Sequence, residues 1–281
     1  MYILIIKENI SVRLILIKNS YLLILLFFYS IMSNIDLHIH TTHSDGTFSP
    51  RRIVDYALSK KMKAIAITDH NSISGVSPAI AYSKGKNIEI VSGVEIDCYE
   101  STLNVIIHVV GLFIDQNNKD LINNLKKQKR KLFNYLIRAI KVFLKKTIFS
   151  SLLIKLKKIF MNKKPVAIPF LSLEKTIKII NSSGGIAILA HPGMINKEKL
   201  DFLIKLFKEY GGKGIEVYYP YNKIYEFNEI KAKETISRIK KIAKKENLLF
   251  LGGSDFHGYG RNVDIGEAGI SNLEFERLKA R

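Results

Sequence analysis

Apolar and polar positions alternate along Ile35–His40, where Ile35, Leu37 and Ile39 interleave with Asp36, His38 and His40. A period of two is the signature of a strand, and it sets His38 and His40 on one face. Shorter apolar runs at Ala64–Thr68, Ile88–Val94, Val105–Leu112, Ile186–Ala190, Gly214–Tyr218 and Leu248–Gly252 read as buried strands. Segments with apolar residues three and four apart read as helices: Pro50–Lys61, Pro78–Gly85, Ser172–Asn181, Lys197–Tyr210 and Asn228–Glu246. Ser49 is placed to cap the first of these, with Pro50 at its first position. The residues after Arg261 read as loop and a short tail.

Strands therefore alternate with helices, and nearly every strand ends in a His, Asp or Glu. An open doubly wound sheet gathers its ligands at one switch point, whereas delivery from many strand ends fits a (β/α) barrel with its site at that rim. Two regions stand apart. In Asp120–Lys164, Leu121, Leu125, Leu132, Leu136, Ile140 and Leu144 recur at roughly helical spacing, with Lys and Arg on the other faces. This predicts one or two basic amphipathic helices inserted at about 119–169; a solvated lysine-rich face and a membrane-surface helix are the alternatives. Residues 1–31 end in an apolar run, Tyr21–Ile31, that lacks a clear small-residue cleavage site and is too short to span a bilayer. They read as a leader ahead of a start at Met32, leaving 32–281 as the domain.

The 281 residues are ordinary globular material, 47% hydrophobic and 25% charged. A single cysteine, Cys98, excludes an internal disulfide framework and a thiolate-type zinc site, and fits a reducing, cytoplasmic setting. The net charge is +19, of which +14 falls between Lys119 and Lys164. Such a block suits a polyanion such as RNA, although only nine of the 44 basic residues are Arg, which favours some compositional bias.

Six of the seven histidines, His38, His40, His70, His108, His191 and His257, sit in strands or at their ends, joined by Asp45, Glu95 and Asp255. His43 follows the first strand and is given no ligand role. The ordered series Asp36-Leu-His-Ile-His40, Ser44-Asp-Gly46, Thr68-Asp-His70, Gly93-Val-Glu95, His108-Val-Val-Gly-Leu112, Ala190-His-Pro-Gly193 and Gly253-Ser-Asp-Phe-His-Gly258 resembles the PHP (polymerase and histidinol phosphatase) phosphoesterases. The likeness runs from about Ile35 to Ile270 and is weakest between Asp120 and Pro169. Within the family the chain is most similar to the stand-alone TrpH/YciV type, which includes 3′,5′-nucleoside bisphosphate phosphatases and the RNase AM exoribonuclease.

The resemblance implies a distorted (β/α)7 barrel holding three divalent metals, with manganese favoured and iron, zinc or magnesium also suited. By motif, His38, His40, Glu95 and Asp255 hold one metal. Glu95 bridges to a second, completed by His108 and His191. Asp45, His70 and His257 hold the third. Asp36 and Asp69 are expected to orient imidazoles from behind. The implied reaction is attack of a metal-bridging hydroxide on phosphorus, with Glu95, His191 and His257 as the catalytic set and no side-chain nucleophile. Arg261, Lys129 and Arg130 are candidate contacts to substrate phosphate. The expected activity is 5′-to-3′ trimming of RNA or oligonucleotides and hydrolysis of 3′,5′-nucleoside bisphosphates, without stable membrane association. The alternatives are a small-molecule phosphatase of the histidinol-phosphatase kind, an inactive metal- or RNA-binding protein, and a protein anchored by residues 1–31. One departure bears on substrate choice: Lys163–Pro169 stands where members of the RNase type carry an Arg-Pro-His stretch.

Overall fold

The computed structural model describes residues 2–8, 11–17, 34–148, 169–225, 227–259 and 261–280. Strands β1 (Tyr2–Glu8) and β2 (Ser11–Ile17) pair antiparallel as a two-stranded sheet of their own. The apolar run Tyr21–Ile31 lies outside the described residues, as do positions 163–168 of the departure from the RNase type.

The main sheet contains β3 (Ile35–Ile39), β4 (Ala64–Ile67), β5 (Glu89–Glu100), β6 (Val105–Leu112), β7 (Leu171–Ser172), β8 (Ile186–Leu189), β9 (Gly214–Tyr218) and β10 (Leu249–Gly252). Its path runs β10-β9-β8-β6-β5-β4-β3, with the short β7 paired to β5. The two ends nearly meet: Asp255 N donates to His38 O and His40 N to Phe256 O, each at 2.9 Å. The result is a nearly closed seven-stranded barrel, as the sequence predicts. One detail differs. Instead of a helix, the Ser101–Asn104 turn joins β5 to β6, and β6 runs antiparallel to both β5 and β8.

Helices α1 (Pro50–Ser59), α2 (Val76–Ser83), α3 (Lys119–Ile148), α4 (Leu173–Ser182), α5 (Lys197–Glu209), α6 (Tyr221–Ile224), α7 (Glu229–Lys245) and α8 (Asn272–Lys279) surround the barrel. The strands are buried on both faces, which is why they read as near-continuous apolar runs. On β4, Ala64 and Ala66 join a cluster drawn from six strands, while Ile65 and Ile67 pack on Ile53, Val54 and Ala57 of α1 and Ala79 of α2. On this strand the inner positions are the smaller ones. The register of β3 slips between Asp36 and Ile39. Ile35 and Leu37 therefore join the inner cluster, Ile39 the outer one, and every residue of this strand is buried.

Helix α8 corrects the expected tail. Its start carries a capping box, in which the Ser271 side chain accepts from Glu274 N and the Glu274 carboxylate accepts from Ser271 N. Phe275 and Leu278 then close the inner cluster against Ile35, Leu37 and Leu251.

Helix α3 is one continuous 30-residue helix. Among its described side chains, Leu121, Leu125 and Gln128 at its start are buried against the barrel, whereas Leu136 further along is 50% exposed. No helix among the described residues is long and apolar enough to cross a membrane.

Candidate metal centre

Glu95 sits near the middle of β5, is 1% exposed, and has five imidazoles around it. Its Oε2 lies 3.2 Å from His38 Nε2, 3.2 Å from His40 Nε2 and 3.3 Å from His70 Nε2. Its Oε1 lies 3.1 Å from His108 Nδ1 and 3.0 Å from His191 Nε2. Asp255 approaches from the far side, with Oδ1 3.2 Å from His40 Nε2 and 3.4 Å from His257 Nδ1. Asp45 closes the outer edge: Oδ2 is 3.2 Å from His257 Nε2, and its side chain is 54% exposed. The barrel thus brings together all of His38, His40, Asp45, His70, Glu95, His108, His191, Asp255 and His257. His108 arrives from the antiparallel β6, directly opposite Asp97 of β5.

These donors fall into groups able to hold a cation: His38, His40, Glu95 and Asp255; His70, Glu95 and His108; and His40, Asp45, His70 and His257. The chemistry of the donor set fits a divalent metal. His38 Nε2 and His40 Nε2 are buried and make no hydrogen bond, although both aim at the gap between Glu95 and Asp255. A buried imidazole nitrogen without a partner is costly unless its lone pair serves a ligand.

The electrostatics agree. Burial opposes a charge on His38, but Glu95, Glu216 and Asp255 outweigh it and raise its pKa well above the usual range. Burial likewise opposes a charge on His70, yet Glu95 and the hydrogen-bonded Asp97 raise it to about 9. Burial alone would raise Glu95; the facing His38, His70 and His108 hold it well below the ordinary carboxylate range instead. Without a cation, the buried carboxylates draw protons toward the imidazoles that face them; cations bound at the Nε2 lone pairs would take over that balancing role.

Local geometry fixes the loops. His191 (φ 26°), Asn71 (φ 51°) and Asp255 (φ 53°) all lie in the left-handed region, a strained backbone that clusters at functional sites. Gly253 must be glycine because a Cβ there would fall 2.2 Å from His38 Cβ.

Several contacts revise the expected roles. Asp36 takes three backbone amides, from His38, Ser254 and Gly266, and no imidazole. Asp69 accepts from Thr41 N, Thr41 Oγ1 and Ser44 Oγ. Both aspartates pin loops. The acids behind the imidazoles are two that sequence reasoning missed. Glu216 Oε1 accepts from His38 Nδ1 at 3.0 Å, and its Oε2 accepts from His191 N at 2.7 Å. Asp97 Oδ1 lies 2.9 Å from His70 Nδ1. A lone acid inside the apolar run Gly214–Tyr218, and an Asp two residues beyond Glu95 and so on its face, were the available signals. Gln128 of α3, 1% exposed, donates to Asn71 Oδ1 at 2.7 Å, and Asn71 in turn donates to Asp97 Oδ2. The inserted helix is thereby tied to the shell around His70.

Arg261 is held by Asp255, with Nη1 2.7 Å from Oδ2, where Tyr219 OH also donates at 2.7 Å. Lys129 and Arg130 are exposed on α3 and are not part of the cluster. Cys98 is buried, burial pushes its thiol pKa up, and its Sγ donates to Ile107 O.

Known proteins resemble the chain over most of its length. A 3′,5′-nucleoside bisphosphate phosphatase from Chromobacterium violaceum is 27% identical over 84% of this chain and 91% of its own length. A 5′-3′ exoribonuclease from Haemophilus influenzae is 28% identical, covering 82% and 94%. The exoribonuclease Rnm of Escherichia coli is 29% identical, covering 79% and 84%. Among solved structures, a C. violaceum protein described as an amidohydrolase superposes with a TM-score of 0.66 at 25% identity, over 88% of this chain and 96% of that one. The PHP domain model matches residues 36–250, a span that carries every candidate ligand except Asp255 and His257. The chain belongs to the PHP domain family and is a hydrolase of phosphate esters.

Proposed function

We propose that this protein is a metal-dependent phosphoesterase that trims RNA or short oligonucleotides from the 5′ end and hydrolyses 3′,5′-nucleoside bisphosphates. The observation that carries the reading is Glu95, buried between the unpartnered Nε2 atoms of His38 and His40 on one oxygen and His108 and His191 on the other. The names of the relatives support the substrate class, and the lysines of α3 suit a phosphate backbone.

The motif order suggests three cation positions: His38, His40, Glu95 and Asp255; Glu95, His108 and His191; and Asp45, His70 and His257. The first coincides with a donor group of the structure, whereas the group around His108 and Glu95 draws in His70 rather than His191. Manganese suits this mixed imidazole and carboxylate set. Divalent cations held there would neutralise phosphate oxygens and acidify a water molecule. The chain's own residues prepare the site. Glu216 fixes the Nδ1–H tautomer of His38, leaving its Nε2 lone pair free, and Asp97 does the same for His70. Arg261 and Tyr219 hold the Oδ2 atom of Asp255 and turn Oδ1 toward His40. Glu95, at the junction of two positions, and His191 and His257, at its two ends, form the catalytic set.

Replacing Glu95 with Gln tests the reading. The change keeps the shape and removes the one charge shared by five imidazoles, so turnover of any phosphate ester should be lost while the fold persists. Near-normal activity in that variant would overturn the proposal.

A further inference from the structure

A second feature lies beside the centre and is not used by it. A surface cavity of about 380 Å³ is lined by Phe48, Arg52, Asp55, Tyr56, Ser59 and Tyr259. It is continuous with the metal-side loops: Thr47 N donates to His257 O, and Tyr259 N donates to Thr47 Oγ1. The same two loops carry Asp45 and His257, the open edge of the cluster.

Arg52 is the unusual member. Its guanidinium lies 3.8 Å from the Phe48 ring centroid and 5.1 Å from that of Tyr259, and it donates to Tyr259 OH. Among the described residues it forms no ion pair with any carboxylate, whereas the neighbouring Lys60 is paired with Asp264. Two rings therefore hold a cation in place and leave most of its donors unused. Tyr259 is 69% exposed, although its ring is fixed at its edge by Phe48 at 5.0 Å. A positioned guanidinium suits a phosphate, and an exposed, oriented aromatic ring suits the face of a nucleobase.

Position decides which nucleotide would use it. The His70 side of the cluster meets α3 through Asp97, Asn71 and Gln128, with exposed Lys126, Lys127, Lys129, Arg130 and Lys131 nearby on that helix. The cleft adjoins the cluster through the loops that carry Asp45 and His257. A substrate that extends from the cluster past those two residues would enter it, while a single nucleotide held on the cluster would not.

We propose that the Phe48–Arg52–Tyr259 cleft is a subsite for the nucleotide following the cleaved bond, with Tyr259 stacking on its base and Arg52 contacting its 3′ phosphate. This rests on the oligonucleotide reading above and extends it: the cleft separates RNA from a 3′,5′-bisphosphonucleotide, which has no second base to place there.

The chain contains no tryptophan, so Tyr259→Trp installs a single reporter at an exposed position. The manganese-loaded variant is titrated with a 5′-phosphorylated, phosphorothioate-linked diribonucleotide ending in a 3′ phosphorothioate, with the same compound lacking its second base, and with 3′-phosphoadenosine 5′-phosphate. The expected result is saturable quenching by the dinucleotide, binding about tenfold or more weaker without the second base, and no comparable quenching by the bisphosphate. Arg52→Ala should weaken dinucleotide binding about tenfold in a labelled-ligand competition, and Tyr259→Ala should do the same if tryptophan is not tolerated. Equal quenching with and without the second base, equal quenching by the bisphosphate, or none at all would overturn the proposal. If the dinucleotide binds with quenching but the wild-type enzyme does not cleave its phosphodiester counterpart, the exonuclease reading fails and the cleft stands.

Discussion

Glu216 gives the sharpest prediction, because its two oxygens do two different jobs. One accepts from His38 Nδ1 at 3.0 Å and the other from the His191 amide at 2.7 Å, in a fully buried site. Glu216→Gln preserves the shape but can accept through only one atom. If its NH2 group faces the His191 amide, two donors meet in a buried site, a cost of about 1–3 kcal/mol. If it faces His38, Nδ1 must become the acceptor. The ring proton then moves to Nε2, the atom aimed at the cluster, and its lone pair is lost. Either arrangement damages the donor set indirectly. Partners of this kind are worth about 10–100-fold in metal affinity, or about 1.4–2.8 kcal/mol. The assay is calorimetric titration of chelator-stripped protein with Mn²⁺, paired with the Mn²⁺ concentration giving half-maximal turnover. Both should shift by that factor in the variant. A folded Gln variant with wild-type values in both would refute the assignment of Glu216 as the residue that orients His38.

Other consequences follow from the charge distribution. Replacing Lys126, Lys127, Lys129 and Lys131 with glutamine should weaken RNA binding and flatten its dependence on salt. The flattening is about 0.7 in slope for each phosphate no longer neutralised, or roughly 3 if all four lysines contribute; unchanged affinity and slope would remove α3 from the binding surface. In metal-free protein, the His70 imidazole proton should titrate near pH 9 by NMR rather than near 6.5. The raised folded-state value stabilises the metal-free protein fully below about pH 6.5, and that contribution fades as pH rises through 9. Mn²⁺ should abolish this titration by displacing the proton; an ordinary value near 6.5 in the metal-free protein would contradict the packing around Glu95.

Most candidate ligands were legible because they interrupt an apolar strand or follow its end, and Asp45 because it stands in the turn after β3. Each alone could be a core or turn residue; the set, in order along the chain, is hard to explain unless a site needs it. Glu216 and Asp97 were not legible in the same way. Each is one acid in a strand, and only the barrel shows that it faces an imidazole. Asp36 and Asp69, adjacent to ligands in sequence, suggested that role but satisfy backbone and hydroxyl donors of the flanking loops. The alternation of β3 does not reflect one wet and one dry face, since all five residues are buried and its polar members face inward to the site and its supporting loops. The antiparallel β6 was hidden because a strand's direction leaves no mark in its composition. Helix α8 was missed although Ser271 and Glu274 spell its capping box, because its apolar content is only Leu273, Phe275 and Leu278.

The proposed activity is decided by offering manganese-loaded protein three substrates side by side: a 5′-phosphorylated RNA oligonucleotide, 3′-phosphoadenosine 5′-phosphate and histidinol phosphate. Mononucleotides released stepwise from the RNA 5′ end, together with turnover of the bisphosphate, are the expected result. Turnover of histidinol phosphate alone would contradict it, leaving the metal centre in place and its proposed substrate wrong.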